Sequence, residues 1–222
     1  MNKLIKLTLL AILTVSVSAF AAGTLSVGYQ EKGIEFGKVT DAKGSAVTAV
    51  DYSIGSFNVG ASADTHLNGV DSVELYKVKF LGGYTFFSTL ADVKVGTEYS
   101  MKNSPGKDSN GHFRPFVSVG KGPLSLTGRY DVESDLSNLE AKFSQAVKFG
   151  KNCGLTGAVF AGYTDANDVF PRTVNEIKYT NAYYGGSLDA SWKMVSVGAI
   201  ALQDGNLGKA TVGLRSFVTL KF

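Results

Sequence analysis

The chain is poor in the residues that staple or interrupt a fold. Cys153 is the only cysteine, so no internal disulfide framework exists, and only 4 prolines occur in 222 residues. After residue 21 the longest mostly apolar stretch, 195–202, has the length of a strand and is too short for a membrane-spanning helix. The sequence therefore excludes a disulfide-stapled domain, and it could enter a bilayer only as a closed barrel.

Residues 1–21 have the composition of a secretory signal peptide. Lys3 and Lys6 form a basic start, an uncharged apolar stretch follows, and small residues flank the expected cleavage position. We predict cleavage after Ala21, which leaves 22–222 as one transmembrane β-barrel domain. The mature chain then carries 20 basic and 19 acidic side chains. This near-neutral balance does not favour a nucleic-acid partner, which usually requires a clustered basic face.

Glycine and aromatic residues are abundant, and polar and apolar side chains alternate along most of the mature chain. Successive residues of a strand point to opposite faces, whereas a helix separates its faces with a period of 3.6. In the last segment Leu214, Val218 and Leu220 share one parity, and Arg215 and Thr219 share the other. The pattern predicts strands with one face for lipid and one for water.

Two further features favour a transmembrane barrel over a soluble β-sandwich. Aromatic residues lie at both ends of the apolar faces, as expected of interfacial girdles. One predicted rim carries Tyr29, Tyr99, Phe113, Tyr130 and Tyr163, and the other carries Phe57, Tyr84, Phe149, Trp192 and Phe222. Tight turns also alternate with looser polar loops, as in bacterial barrels. The predicted turns are 55–56, 87–88, 120–123, 150–153 and 193–194, and the predicted loops are 31–45, 67–72, 102–111, 133–137, 165–176 and 204–208.

These breaks divide the mature chain into about twelve strands of an all-β, antiparallel up-and-down barrel. Ten strands remain an alternative if one weak pair is loop. The predicted strands are 24–30, 46–54, 57–66, 73–86, 90–101, 112–119, 124–132, 138–149, 155–164, 177–192, 195–203 and 209–222.

The last strand resembles the C-terminal signal of Gram-negative outer-membrane barrels, because Phe222 is preceded by Leu220 and Val218 at alternate positions. The resemblance implies that the barrel-assembly machinery recognises these residues. A block in the middle of the chain resembles the oligogalacturonate-specific porin family, small twelve-stranded channels for acidic sugar oligomers. Its segments are 76–80, 99–101, 112–116 and 124–130. This second resemblance implies a porin that passes anionic oligosaccharides.

Charged side chains on the inward parity are the candidate pore-lining residues. The bases are Lys77, Lys79, Lys94, Arg114, Arg129, Lys142 and Arg215, and the acids are Asp92, Glu98, Asp131, Glu140 and Asp189. The first six bases lie on consecutive predicted strands and could form a basic wall that biases solute passage. The alternative is that the bases pair with the acids and close the lumen, as in narrow barrels. We favour a conducting pore for small hydrophilic solutes.

Two other functions are weighed against a pore. A non-conducting structural or adhesive barrel would bind a host or phage partner through the external loops 31–45 and 102–111. An omptin-like surface protease would need a base beside a nucleophile or water, and Asp64 with His66 supplies only half of such an arrangement. We therefore predict no enzyme activity and no catalytic residues.

No cofactor is predicted. The chain has no phosphate-binding Gly-Lys-Ser/Thr loop, and 165–168 lacks the full spacing of a calcium loop, so no metal site is expected. The expected partners are outer-membrane lipid, the assembly machinery and small hydrophilic solutes. The sequence leaves open whether the barrel forms a homo-oligomer.

Overall fold

The computed structural model describes residues 22–35, 38–41, 44–68, 72–102, 111–166, 181–204 and 210–222. This part of the chain folds into strands joined by turns. The strands are β1 Ala22–Gln30, β2 Gly33–Glu35, β3 Lys38–Asp41, β4 Ser45–Ile54, β5 Phe57–Asn68, β6 Ser72–Phe86, β7 Asp92–Lys102, β8 Gly111–Lys121, β9 Leu124–Asp131, β10 Leu136–Phe149, β11 Cys153–Ala166, β12 Asn181–Trp192, β13 Val195–Asp204 and β14 Ala210–Lys221. Among these described residues no helix is long and apolar enough to cross a membrane. The predicted signal peptide, residues 1–21, lies outside them.

Twelve of the strands form one closed antiparallel barrel. Each strand pairs with its neighbour in sequence, and β1 closes the ring by pairing with both β14 and β4. The remaining two, β2 and β3, form a small separate hairpin in the connection between β1 and β4. Closure leaves no open sheet edge, which is the condition for a sheet to cross a membrane. The predicted twelve-stranded barrel is confirmed, and the ten-stranded alternative is wrong.

Alternation along each strand separates the two faces of the wall. On β7, for example, Tyr99 and Met101 are 39% and 37% exposed, while Ser100 between them is fully buried. On β9, Leu124 and Leu126 are exposed and Asp131 on the other parity is buried. The exposed apolar parity faces outward, and the polar parity faces the enclosed interior.

The turns at one end of the barrel are short because single residues adopt positive φ. Gly55, Gly122, Gly150 and Lys193 have φ of 59°, 60°, 68° and 51°, as tight hairpins of right-handed twist require. These turns lie at the predicted positions 55–56, 120–123, 150–153 and 193–194.

Two predicted connections are wrong in length. Between β6 and β7 the predicted two-residue turn is a five-residue connection, because the Ser88 hydroxyl donates to the Ala91 carbonyl at 2.7 Å and accepts from the Ala91 N–H at 3.1 Å. On the opposite side, the predicted loop 133–137 is a four-residue turn between β9 and β10. Asp131 accepts from the Ser134 N–H at 3.0 Å, and Asp135 has a φ of 51°. The central parts of the predicted loops 67–72, 102–111, 165–176 and 204–208 lie outside the described residues.

Candidate pore wall

The inward parity brings the predicted pore-lining residues to one surface. Lys77 and Lys79 come from β6, and Asp92, Lys94 and Glu98 come from β7. The others lie on later strands of the same wall: Arg114 on β8, Arg129 and Asp131 on β9, Glu140 and Lys142 on β10, Asp189 on β12 and Arg215 on β14. Their inward direction follows from strand alternation.

An alternating chain of charges crosses four neighbouring strands near the end where β9 passes into β10. Lys79 Nζ lies 3.1 Å from Glu98, and Glu98 lies 3.1 Å from Arg114 Nη1. Arg114 Nε donates to Asp131 at 2.6 Å, and His112 Nδ1 lies 3.1 Å from the same carboxylate. Because Arg114 and Asp131 are 5% and 1% exposed, removing either one would leave a buried charge without its partner, a change that costs several kcal/mol.

A second polar chain continues from β9 to β12. Asn138 Nδ2 donates to Thr164 and to the Tyr183 hydroxyl, both at 2.9 Å, and Tyr183 in turn donates to Glu140 at 3.0 Å. Arg129 donates to Asn138 at 3.3 Å and lies 4.0 Å from Glu140. The network satisfies side chains that would otherwise be buried without partners.

A separate ion pair joins two strands that are not adjacent. Arg215 on β14 donates from Nε to Asp189 on β12 at 2.7 Å, and its Nη2 contacts the other carboxylate oxygen. The strand between them, β13, has Gly198 at the shared register position. A Cβ at Gly198 would collide with the Asp189 carboxylate. Glycine is therefore required for this bridge.

Exposure of the inward side chains changes along the barrel axis. On β10 it rises from Asn138, which is 3% exposed, through Glu140 to the exposed Lys142 and Lys148. The other buried polar side chains of the wall also lie near the end that carries the longer connections: Ser45, Lys77, Ser100, Arg114, Asp131, Thr164 and Asn181. The lumen wall is thus densely packed at that end and open at the end with the tight turns.

The predicted basic wall is interrupted by acids. Lys79, Arg114, Arg129 and Arg215 each lie beside a carboxylate, and Asp92 lies 3.4 Å from Lys121. Lys94 and Lys142 differ, because neither has an acidic partner among the described residues. The unpaired positive charge of the wall therefore consists of separate lysines that lie among ion pairs.

The outer surface is an apolar belt between two aromatic rims. Tyr29, Tyr99, Phe113 and Tyr163 are exposed at one rim, and Phe57, Phe149, Trp192 and Phe222 are exposed at the other. Thirty-four large hydrophobic side chains are more than a third exposed across the described residues. A soluble protein rarely exposes such a continuous apolar surface, whereas a barrel in lipid requires one.

The chain is similar in fold to several solved structures. The KdgM porin superposes with a TM-score of 0.57 at 11% identity, over 90% of this chain and 99% of that chain. A chain from a study of in-meso crystallization of membrane proteins gives 0.53 at 8% identity, over 90% and 84%. Omp33 of Acinetobacter baumannii gives 0.48 at 12% identity, over 91% and 100%. No protein-family model and no curated protein matches the sequence significantly.

The chain has the fold of an outer-membrane β-barrel. The predicted similarity to small outer-membrane porins of the KdgM type is confirmed at the level of fold. The predicted outer-membrane location is consistent with that fold and with the apolar belt. The C-terminal residues of this outer-membrane barrel, Val218, Leu220 and Phe222, face outward and are 45%, 45% and 48% exposed. Phe222 also exchanges two backbone hydrogen bonds with Gly23, at 2.9 and 3.1 Å. Its role as an assembly signal stays a prediction.

His112 of this outer-membrane barrel has neighbours of the residue types found in a hydrolytic triad, but they lack the geometry of a triad. Ser134 Oγ and the Asp131 carboxylate both lie near His112 Nδ1, at 3.3 and 3.1 Å. A relay needs the nucleophile and the acid on opposite ring nitrogens. The side chain of His66, the other candidate, lies outside the described set.

The same region brings three potential metal ligands within 4.8 Å of one another, from His112, Asp131 and Glu133. Their oxygens are already engaged, because Arg114 donates to Asp131 and the Phe113 N–H donates to Glu133 at 2.5 Å. A guanidinium against the central carboxylate opposes a second cation there. The cluster therefore fits an ion-pair network better than a metal centre.

The aromatic side chains of the inward parity were not among the residues predicted to line the pore. Phe116 is the register partner of Gly96, and Phe160 is the register partner of Gly185. The parity that placed Arg114 and Lys142 inward also places these rings inward, so the signal was present in the strand pattern.

Proposed function

We propose that this barrel is a channel through which small hydrophilic solutes diffuse across the outer membrane, with a preference for anions such as acidic oligosaccharides. The observation that carries the proposal is the imbalance of unpaired charge in the open part of the lumen. Lys94, Lys142 and Lys148 face it without acidic partners in the described part of the chain, against the inward acid Asp51.

The paired residues contribute little to this preference. Glu98, Asp131 and Asp189 each lie within 3.1 Å of a basic side chain, so their fields largely cancel at a distance. Unpaired charges lining a water-filled pore bias the ions that pass it. Diffusion through such a pore requires positioning of charge and no chemical step, and the fold similarity to the KdgM porin supports a channel.

The test is ion selectivity in planar bilayers under a salt gradient. We expect the purified barrel to conduct and to favour chloride over potassium. Replacing Lys94 and Lys142 by Gln should shift the reversal potential toward cation selectivity while conductance remains. Lys193→Gln is the matched control, because its ammonium lies over the Trp192 ring, 4.9 Å from the centroid, at a turn outside the lumen. A correctly folded barrel that conducts no ions would refute the channel.

A second candidate is a non-conducting barrel that binds partners through its external loops. The observation that favours it is the dense polar packing at one end of the lumen, where Ser100, Thr164 and Asn181 are all fully buried. The same recordings separate the two candidates, since this barrel would insert without conductance. Deletion of loop residues would then abolish adhesion while leaving the folded barrel intact.

A further inference from the structure

Two phenylalanine rings lie on the inward surface beside the lysines that lack acidic partners. Lys94 Nζ lies 5.8 Å from the centroid of the Phe116 ring. Lys142 on β10 is the direct register partner of Phe160 on β11, and such partners have Cβ atoms roughly 5 Å apart. Both rings are partly exposed. The wall therefore carries one cation–ring contact, Lys94–Phe116, and one pair of facing register partners, Lys142–Phe160, which together we call the lysine–phenylalanine pairs.

Glycine allows each ring to lie along the wall. A Cβ on Gly96 would come within 2.7 Å of Phe116 Cζ, and a Cβ on Gly185 would come within 2.6 Å of Phe160 Cζ. Each ring thus fills the space of a missing side chain on the neighbouring strand, an arrangement that also stabilises sheet glycines. Both rings remain partly exposed, and the centroid of the Phe160 ring also lies 6.4 Å from that of the Tyr183 ring.

The polar groups around the pairs distinguish between classes of ligand. The hydroxyls of Ser118 and Thr127, next to Phe116, bond to each other at 2.9 Å. Glu140 accepts from Tyr183 and faces Arg129. A phenyl ring itself offers no hydrogen bond to a sugar hydroxyl. The free features are therefore a flat apolar ring and an ammonium group beside it.

We propose that the lysine–phenylalanine pairs Lys94–Phe116 and Lys142–Phe160 are binding subsites for aromatic carboxylates. The phenyl ring stacks on the aromatic part of the solute, and the ammonium pairs with the carboxylate. Aromatic pairs prefer offset or edge-to-face contact, which a wall-lying ring permits. This inference deepens the proposed channel function, which it takes as its basis, by naming a class of solute that would be retained in the lumen.

Equilibrium binding to the folded, detergent-solubilised barrel tests the proposal independently of conductance. The probes are sodium benzoate, sodium propionate, sodium glucuronate and benzyl alcohol, measured by saturation-transfer NMR. We expect benzoate to bind tightest, because propionate lacks the ring, benzyl alcohol lacks the charge, and glucuronate carries hydroxyls in place of an aromatic face. Glucuronate binding as tightly as benzoate, or all four probes binding alike, would overturn the proposal.

Substitutions test whether benzoate binds at the lysine–phenylalanine pairs. Phe116→Leu with Phe160→Leu should weaken benzoate about threefold, and Lys94→Gln with Lys142→Gln should weaken it about threefold. The matched controls are Phe143→Leu, which removes a lipid-facing ring from β10, and Lys193→Gln, which removes an ammonium lying over the Trp192 ring at a turn outside the lumen. Each variant is first shown to fold by heat-modifiable gel migration. Equal loss in the control pair would contradict the assignment.

Conductance of the same preparation separates the two proposals. A barrel that conducts but shows no selective benzoate binding retains the channel function and overturns the subsites. A barrel that binds benzoate selectively but does not conduct overturns the channel and leaves the subsites in place.

Discussion

At the scale of single residues, the inward charges are held by geometry that a conservative substitution can disrupt. Gly198→Ala introduces a methyl group where the Asp189 carboxylate lies, and so separates Arg215 from Asp189. We expect a loss of about 1–3 kcal/mol in the free energy of unfolding, the usual cost of a disturbed polar contact. Urea unfolding in detergent, followed by Trp192 fluorescence, measures it.

The control for this change is Gly157→Ala. Gly157 lies on the outward parity, and the nearest atom to an added Cβ is Leu188 Cδ1 at 3.9 Å. Its substitution should leave stability unchanged within about 0.5 kcal/mol. Equal losses of stability at both positions would show that the Arg215–Asp189 ion pair does not account for the effect of Gly198→Ala.

Replacing Arg114 should lower the free energy of unfolding far more than replacing Arg129. Arg114→Met leaves Glu98 and Asp131 without their shared guanidinium, and we expect destabilisation of about 3–5 kcal/mol. Arg129→Met should cost less than about 1 kcal/mol, because the Arg129 side chain is 37% exposed and its ion pair with Glu140 spans 4.0 Å. The same unfolding measurement compares them, and a larger cost at Arg129 would contradict the assigned network.

At the scale of strands, alternation in the sequence predicted the faces well because the parity of a strand is fixed by its backbone. β7 and β10 illustrate this, since Glu98 and Lys142 lie on the parity opposite to the exposed Tyr99 and Phe143. The ion partners were not predictable in the same way. Arg215 reaches Asp189 across an intervening strand, and that contact depends on the register of three strands.

The lengths of two connections were also not predictable from the sequence. The connection after β6 is longer than expected because a side-chain hydroxyl, Ser88, caps it. The β9–β10 connection is shorter because Asp131 binds the turn backbone. Both depend on a side chain adopting one of several available hydrogen bonds, which the sequence pattern does not specify.

The terminal strand carries a prediction about assembly. Phe222→Ala removes the ring that covers Gly23 at the junction of β1 and β14. We expect a reduced fraction of heat-modifiable barrel in the outer membrane. Phe149→Ala is the control, because Phe149 is a 58% exposed aromatic of the same rim away from the junction. An equal loss of heat-modifiable barrel in both variants would show that any aromatic residue of this rim is needed, and would contradict a specific assembly role for Phe222.

At the scale of the whole molecule, the barrel combines a packed end with an open end. Hydrogen bonds around Arg114, Asn138 and Thr164 join neighbouring strands at the first end, and under the proposed channel function the exposed lysines supply unpaired positive charge toward the second end. Raising the salt concentration should therefore reduce anion selectivity, since exposed charges are screened within about 10 Å at 0.1 M. Reversal potentials measured at 0.1 M and 1 M salt check this, and salt-independent selectivity would place the selective charges in the packed layer.

The pairing of Gly23 with Phe222 has a consequence for chain order. The first and last strands are hydrogen-bonded neighbours. The β1–β14 junction is therefore a seam between the chain ends in a closed sheet, and no strand is structurally first or last. A short linker across that seam, with new ends cut into the turn between β9 and β10, would give a circular permutant that retains every strand pairing.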